Sequence, residues 1–182
     1  MEKKLLAIIS KSPEIMETLS ACFDYGLPNH YLAGGAITQC IWNSLLGMPL
    51  LSQVKDFDIV YFSDETKHSE KIHENEIRRR VTHLIPIDIK NQACVHEWYP
   101  KKFGHTIAPY KCSEDGISSW LSAFAIGIRY DAGKLRVFAP YGLEDTLSMS
   151  IRPNKSVMNK ANYEQMTTSF SQRWPEISVE PW

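Results

Sequence analysis

Two alternating runs restrict the fold more than any other feature. In KDFDIVYF (55–62), Phe57, Ile59 and Tyr61 fall on one face of an extended chain and Asp56 and Asp58 on the other. In Leu84 to Lys90, Ile85, Ile87 and Ile89 alternate with Pro86, Asp88 and Lys90. A period of two marks strands. The segments around them run at helical spacing. Ser12-Pro13-Glu14 is a helix start, followed by Ile15, Leu19, Cys22 and Phe23, with Gly26 as a stop. His30 to Ala33 reads as a short strand, and Gly34-Gly35 opens a second helix with Ile37, Cys40, Ile41 and Leu45 on one face. Asp64 to about Arg80 is a polar helix with a thin seam of Ile72, Ile77 and Val81; Asn91 to Trp98 is a helical turn or short helix. Another helix begins at Ser113, with Ile117, Trp120, Leu121 and Phe124 inward; Gly142 to Met149 is short, and Met166, Phe170 and Trp174 mark a last one. Ala125 to Tyr130 and Leu135 to Ala139 form a hairpin around Asp131-Ala132-Gly133. About five strands and six helices interleave, so the fold class is α/β (α+β) with a mixed β-sheet.

The 182 residues suffice for one core, and no Pro/Gly/Ser linker divides them, so one domain over 1–182 is expected. With 43% hydrophobic and 23% charged residues the chain is of the globular kind rather than the disordered one. A net charge of −1 gives no support to strong non-specific binding of nucleic acid, so a long nucleic acid is a disfavoured partner. Cysteines 22, 40, 94 and 112 form no CxxC pair and no zinc spacing, which fits reduced thiols in the cytoplasm. The apolar run Leu5 to Ile9 is too short for a signal peptide core and reads as a helix; no segment approaches the roughly 20 apolar residues of a membrane span.

The chemistry gathers at three places. Asp56 and Asp58 project together from a strand, an arrangement that is unfavourable unless water or a cation screens the charges. Hard oxygen pairs suit Mg²⁺, which takes one or two carboxylates plus substrate phosphates; a solvated strand end is the plain alternative. Asp88, on a second strand, supplies the third acid that a two-metal site requires; an unrelated edge acid is the alternative. Gly34-Gly35 before a helix lets backbone approach an anion at the positive end of that helix, or is simply a tight turn.

Other residues have two readings each. Lys90 neutralises a triphosphate or is solvated; Asn91 fixes a turn or contacts a sugar or base; His96, Trp98 and Tyr99 line a pocket or form a packed cluster. Lys111 and Ser113 hold phosphate, or Ser113 is a helix cap, the favoured reading. Arg78, Arg79 and Arg80 read as a solvated face, and Trp42, Trp120 and Trp174 as core or interface. His68 and His73, five apart, miss the spacing for a shared metal on one helix.

The order strand, GG, helix, strand with DxD, strand with D resembles the nucleotidyltransferase fold of the DNA polymerase beta superfamily. The spacing from Gly35 to Asp56 is longer than usual, the excess lying in the loop Gly47 to Lys55. The blocks GGAITQCIWN (34–43), KDFDIVYF (55–62), DIKNQACVHEWY (88–99), KFG (102–104), SEDGISSW (113–120), AIGIRY (125–130), APYGLEDTL (139–147), RPN (152–154) and RWPEISV (173–179) are similar to those of a bacterial branch of that superfamily. The resemblance implies a nucleotidyltransferase fold, with Gly34 and Gly35 contacting phosphate, Asp56 and Asp58 binding metal and Asp88 as the third acid. It implies Mg²⁺, two ions with substrate bound, and transfer of an NMP from an NTP to an unidentified acceptor hydroxyl with release of pyrophosphate. Lys90 is assigned to nucleotide binding. The alternative is a degenerate domain of the same fold that binds a nucleotide, an RNA or a protein partner without chemistry.

Overall fold

The computed structural model describes residues 1–64, 69–131, 133–156 and 158–182, so His68 and Ala132 lie outside the described residues. The chain opens with helix α1 (Glu2–Ile9) and helix α2 (Pro13–Tyr25). Ser12 caps α2 by accepting the Ile15 N–H at 3.4 Å, Pro13 stands in the first turn, and Gly26 ends the helix at φ 76°. Phe23, expected inward, is 44% exposed.

Strand β1 (Tyr31–Ala33) leads into helix α3 (Gly35–Leu45), and strand β2 (Phe57–Tyr61) follows. The face expected on α3 is not a single stripe. Ala36 to Asn43 are all buried, so the helix runs through the interior. Helix α4 (Ser69–Arg78) carries the polar segment, and its apolar seam is thinner than expected: Ile77 is fully buried but Ile72 is 58% exposed. Strand β3 (Ile87–Asn91) starts later than Leu84, which is 91% exposed, because Pro86 has no N–H for a ladder.

A 3₁₀ turn (Gln92–Cys94) and helix α5 (Val95–Phe103) occupy the segment expected to hold a short helix. The helix runs on through Pro100 to a Gly104 cap, although proline reads as a stop. Helix α6 (Ser113–Ser118) is shorter than its apolar spacing suggested. Ser118 and Ser119 hydroxyls bond back to the Glu114 and Gly116 carbonyls, a local alternative to further helix. Strands β4 (Gly127–Asp131) and β5 (Lys134–Phe138) form the hairpin, then come helix α7 (Glu144–Leu147), strand β6 (Ser150–Ile151), helix α8 (Lys160–Arg173) and strand β7 (Ser178–Val179).

The expected mixed sheet has the order β3-β2-β1-β4-β5. Strand β2 is parallel to β3 and antiparallel to β1, and β4 is antiparallel to both β1 and β5. Two-residue β6 and β7 pair in parallel apart from it; such short pieces leave no alternation to read.

One face of the sheet holds Leu32, Phe57, Ile59, Ile87, Ile89 and Ile128 against α1, α2 and α3. Each such side chain contributes roughly 1.5–3 kcal/mol on full burial. A second cluster, around Trp42, Phe124, Phe170 and Trp174, ties α8 to α3. Both indoles are fully buried, and their N–H groups donate to the Thr146 carbonyl at 3.0 Å and to Asn43 Oδ1 at 2.8 Å. The opposite sheet face has a smaller cluster of Tyr31, Ala33, Val60, Ile117 and Ala125. The acids stand on this second face. Among the described residues no helix is long and apolar enough to cross a membrane.

Candidate functional site

The pairing of β2 with β3 sets Asp58 directly opposite Asp88 on parallel neighbours, with Phe57 opposite Ile87 and Ile59 opposite Ile89. The buried isoleucines and Phe57 fix which face each strand turns inward, and that forces both aspartates to the other side. Asp56 lies one residue ahead of β2 and is exposed. A cavity of about 460 Å³ opens on this face and is lined by Gly34, Gly35, Asp56, Asp58, Asp88 and Lys90 together. All six residues singled out from the sequence therefore border one space, in the size range of small-molecule sites.

Electrostatics distinguish the acids. Burial, and then the charges of Asp56 and Asp88, push the Asp58 carboxyl up to about 7, against Lys90 and Lys102, which pull it down. Lys90 forms an ion pair with Asp88. Burial pulls Lys90 down, but the hydrogen bond and charge of Asp88, with Glu70 and Glu74, outweigh it and hold it above its ordinary value.

A stability prediction follows from Asp58. Its folded value of about 7 lies above the value of 3.8 for an unperturbed carboxyl, so between these the folded state holds the extra proton. Its contribution is complete below pH 3.8 and is lost as pH rises through 7. The metal-free wild type should lose stability relative to Asp58→Asn over that window, by on the order of 2 kcal/mol because Asp58 is partly open to solvent. Parallel denaturant unfolding at pH 4, 6 and 8 measures the difference, and a constant difference would refute it.

The glycine pair is built for close approach. Gly34 has φ 66° and ψ −125°, a region only glycine enters without strain. Its N–H donates to the Ile126 carbonyl at 2.9 Å, and its own carbonyl accepts Ile37 and Thr38 as the start of α3. Trp120 covers it: a Cβ at Gly34 would lie 2.6 Å from the indole ring. Trp120, expected in the core or an interface, is half-buried: it packs against the Tyr31 cluster and also lines the cavity.

Helix α5 forms an aromatic wall. Trp98, Tyr99, Lys102 and Phe103 line the cavity, with Tyr99 and Phe103 ring centres 4.5 Å apart and Lys102 Nζ 5.3 Å from the Phe103 centroid. Trp98 and Tyr99 satisfy both readings, since they line the cavity and pack on one another with ring centres 6.2 Å apart, whereas His96 is not among the lining residues. Arg173 and Phe170, from α8, also line the cavity, and Arg173 sits near enough to Asp56 to feel its charge.

The remaining candidates are structural. Asn91 is fully buried; its Oδ1 accepts the Ser63 and Ala93 N–H groups at 3.2 and 3.1 Å, and its Nδ2 donates to the Ser63 carbonyl at 2.8 Å. It fixes a turn. Ser113 is not the cap of α6, a place taken by Cys112; its hydroxyl bonds to the Asn29 carbonyl. Lys111 does not line the cavity, and its N–H donates to Asp115 at 2.8 Å. Arg79 and Arg80 pair with Glu76 on the solvated face, but Arg78 holds the carbonyls of His83 and Ile85. His73 is buried against the Tyr25 hydroxyl at 2.8 Å. All four cysteines are thiols, with Cys22 and Cys40 buried. The loop Gly47 to Lys55 is tied down: Asn43 Nδ2 donates to the Leu50 and Ser52 carbonyls, and Gln53 to that of Arg173.

Sequence reasoning missed Gln39, Lys102 and Arg173. Lys102 and Arg173 come from helices distant in the chain, and no local period marks them. Gln39 stands four residues after Gly35, the spacing that places two helical residues on one face.

Magnesium can be tested against this arrangement. The donors are hard carboxylate oxygens, and the repulsion that raises Asp58 is what a cation would relieve. Among the described residues no group of three or more His, Cys, Asp or Glu is placed to hold a metal by itself. The acids fit the mode in which one or two carboxylates hold Mg²⁺ and substrate phosphates and water complete the shell.

Comparison with known proteins agrees with this fold. A solved NMR structure described as revealing a CCA-adding enzyme head domain superposes with a TM-score of 0.80 at 25% identity, over 99% of this chain and 96% of that one. None of the curated proteins matches. The family model described as Nucleotidyltransferase matches residues 21–179, the stretch that contains β1, the glycine pair and all three acids. With that match covering most of its length, the chain belongs to the nucleotidyltransferase family.

Proposed function

We propose that the protein transfers an NMP from an NTP to an acceptor hydroxyl, with magnesium, releasing pyrophosphate. The observation that supports this most is the in-register pair Asp58 and Asp88 bordering the same cavity as Gly34-Gly35. The triphosphate would lie against the glycine pair, where the first N–H groups of α3 are not used by the helix itself. Asp56 and Asp58 would hold Mg²⁺ against the phosphates, and Asp88 would join a second ion. Bound magnesium would neutralise phosphate charge and ease deprotonation of the acceptor hydroxyl.

The rest of the work falls to the chain. Lys90, paired with Asp88 in the free protein, and Lys102, whose charge already reaches Asp58, supply positive charge to the triphosphate. The acceptor hydroxyl gives up its proton to solvent, its oxygen attacks the α-phosphorus in line, and the bond to the pyrophosphate oxygen breaks opposite it. Rate comes from positioning and from charge neutralisation. Because the similar solved structure is described as a CCA-adding enzyme head domain, CTP and ATP are the first donors to assay.

Thermal unfolding with each NTP, with and without Mg²⁺, tests the reading. A ligand at about 100 times its Kd adds about 2.7 kcal/mol, or roughly 5–10 °C for a chain of this size. The rise should need Mg²⁺ and vanish in the Asp56→Asn/Asp58→Asn double variant. No rise with any NTP at millimolar concentration would overturn it.

A further inference from the structure

We infer that Gln39 selects for a sugar hydroxyl on the bound nucleotide, the inference resting on the proposed nucleotide site. Gln39 is 7% exposed, lines the cavity, and its Oε1 has no hydrogen-bond partner among the described residues. A buried acceptor left unpaired is unfavourable, and native proteins seldom keep one without a use for it. Gln39 differs here from the other buried glutamine of the cavity, Gln92. That residue donates to the Lys90 carbonyl at 3.2 Å and packs on Gly116, where a Cβ would meet its Oε1 at 2.0 Å. The other unpaired buried atoms among the described residues, on His30, His83 and His96, belong to residues that do not line this cavity.

The position of the side chain narrows what it can meet. Helical side chains lean toward the N-terminus, so Gln39 reaches back one turn to the glycine pair. Its Nε2 lies 3.1 Å from where a Cβ of Gly35 would be. A ligand seated on the first turn of α3 therefore touches this carboxamide. Phosphate oxygens accept and cannot satisfy Oε1. A carboxamide presents an acceptor and a donor side by side, and a hydroxyl answers both. In a nucleotide whose phosphates rest on Gly34-Gly35, the nearest hydroxyls are those of the ribose, at the 2′ or the 3′ carbon. A site with a buried polar group rejects the analogue that lacks the partner, because the group is then left unpaired again.

The test is binding of the full chain, by calorimetry with Mg²⁺, to a ribonucleoside triphosphate and to its 2′-deoxy and 3′-deoxy forms. The wild type should bind one deoxy form about tenfold more weakly than the ribonucleotide, and that form identifies the hydroxyl. In Gln39→Leu, which keeps most of the side-chain bulk and removes the unpaired atom, the ribo-to-deoxy ratio should fall to about one. Gln39→Met serves if the leucine variant does not fold. Equal binding of all three nucleotides by the wild type, or a ratio unchanged in the variants, would overturn the inference while leaving the nucleotide site standing. Absence of binding of any nucleotide to the wild type would overturn the proposed function and this inference together.

Discussion

Asp58→Asn is expected to lower nucleotidyl transfer by about a thousandfold or more and to stabilise the free protein. The two effects share one cause. Asp58 is the acid held between the other two, and burial together with Asp56 and Asp88 makes its charge unfavourable until something positive arrives. Asparagine removes that charge and keeps the shape, so the metal-free fold gains on the order of 2 kcal/mol above pH 7. The same change removes the central ligand of the proposed magnesium site. Loss of a group that stabilises transition-state charge costs about 3–4 kcal/mol, which corresponds to rates lower by two to three orders of magnitude; removing the metal with it places the expected loss at the upper end. Single-turnover assays with a labelled NTP and urea unfolding on the same preparations measure both. Turnover within tenfold of the wild type would sink the metal assignment; a destabilised variant would sink the electrostatic one.

Gly34→Ala is expected to destabilise the fold by about 2–5 kcal/mol, the largest stability effect at the site. Two costs add. A non-glycine residue in the backbone region at φ 66° carries about 1–3 kcal/mol of strain. The new Cβ would also press into the Trp120 ring from 2.6 Å, and overpacking of this kind costs roughly 1–3 kcal/mol. The Trp120 backbone is held, since Asn154 Nδ2 donates to its carbonyl at 2.9 Å and to that of Ser118 at 3.3 Å, so relief has to come from rotation of the ring alone. Gly35→Ala is the control. Its Cβ meets only the end of the Gln39 side chain, at 3.1 Å, so stability should change by less than about 1 kcal/mol. The added methyl nevertheless occupies the surface on which phosphate would rest, and Mg²⁺-nucleotide affinity should fall. Equal stability losses in the two variants, measured by urea unfolding, would mean that Trp120 does not pin Gly34.

The alternation of Phe57, Ile59 and Tyr61 with Asp56 and Asp58, and of Ile87 and Ile89 with Asp88 and Lys90, determined by itself which face each acid would take. The side-chain period of a strand leaves no other choice once the apolar set is buried. The glycine pair, the caps at Ser12 and Gly26 and the five strands of the main sheet were legible for the same reason: each is a local pattern whose physics acts within a few residues. Tertiary structure alone decided that β2 and β3 are neighbours in parallel register, which turns two separate acids into the opposed pair Asp58 and Asp88. It also brought Lys102 and Arg173 to the cavity, set Trp120 over Gly34 and left Gln39 Oε1 without a partner among the described residues. These are contacts between segments far apart in the chain, made where packing of the cores around Phe57 and Trp42 fixes the helices. No residue pattern along one segment records them, because their energy belongs to the packed whole.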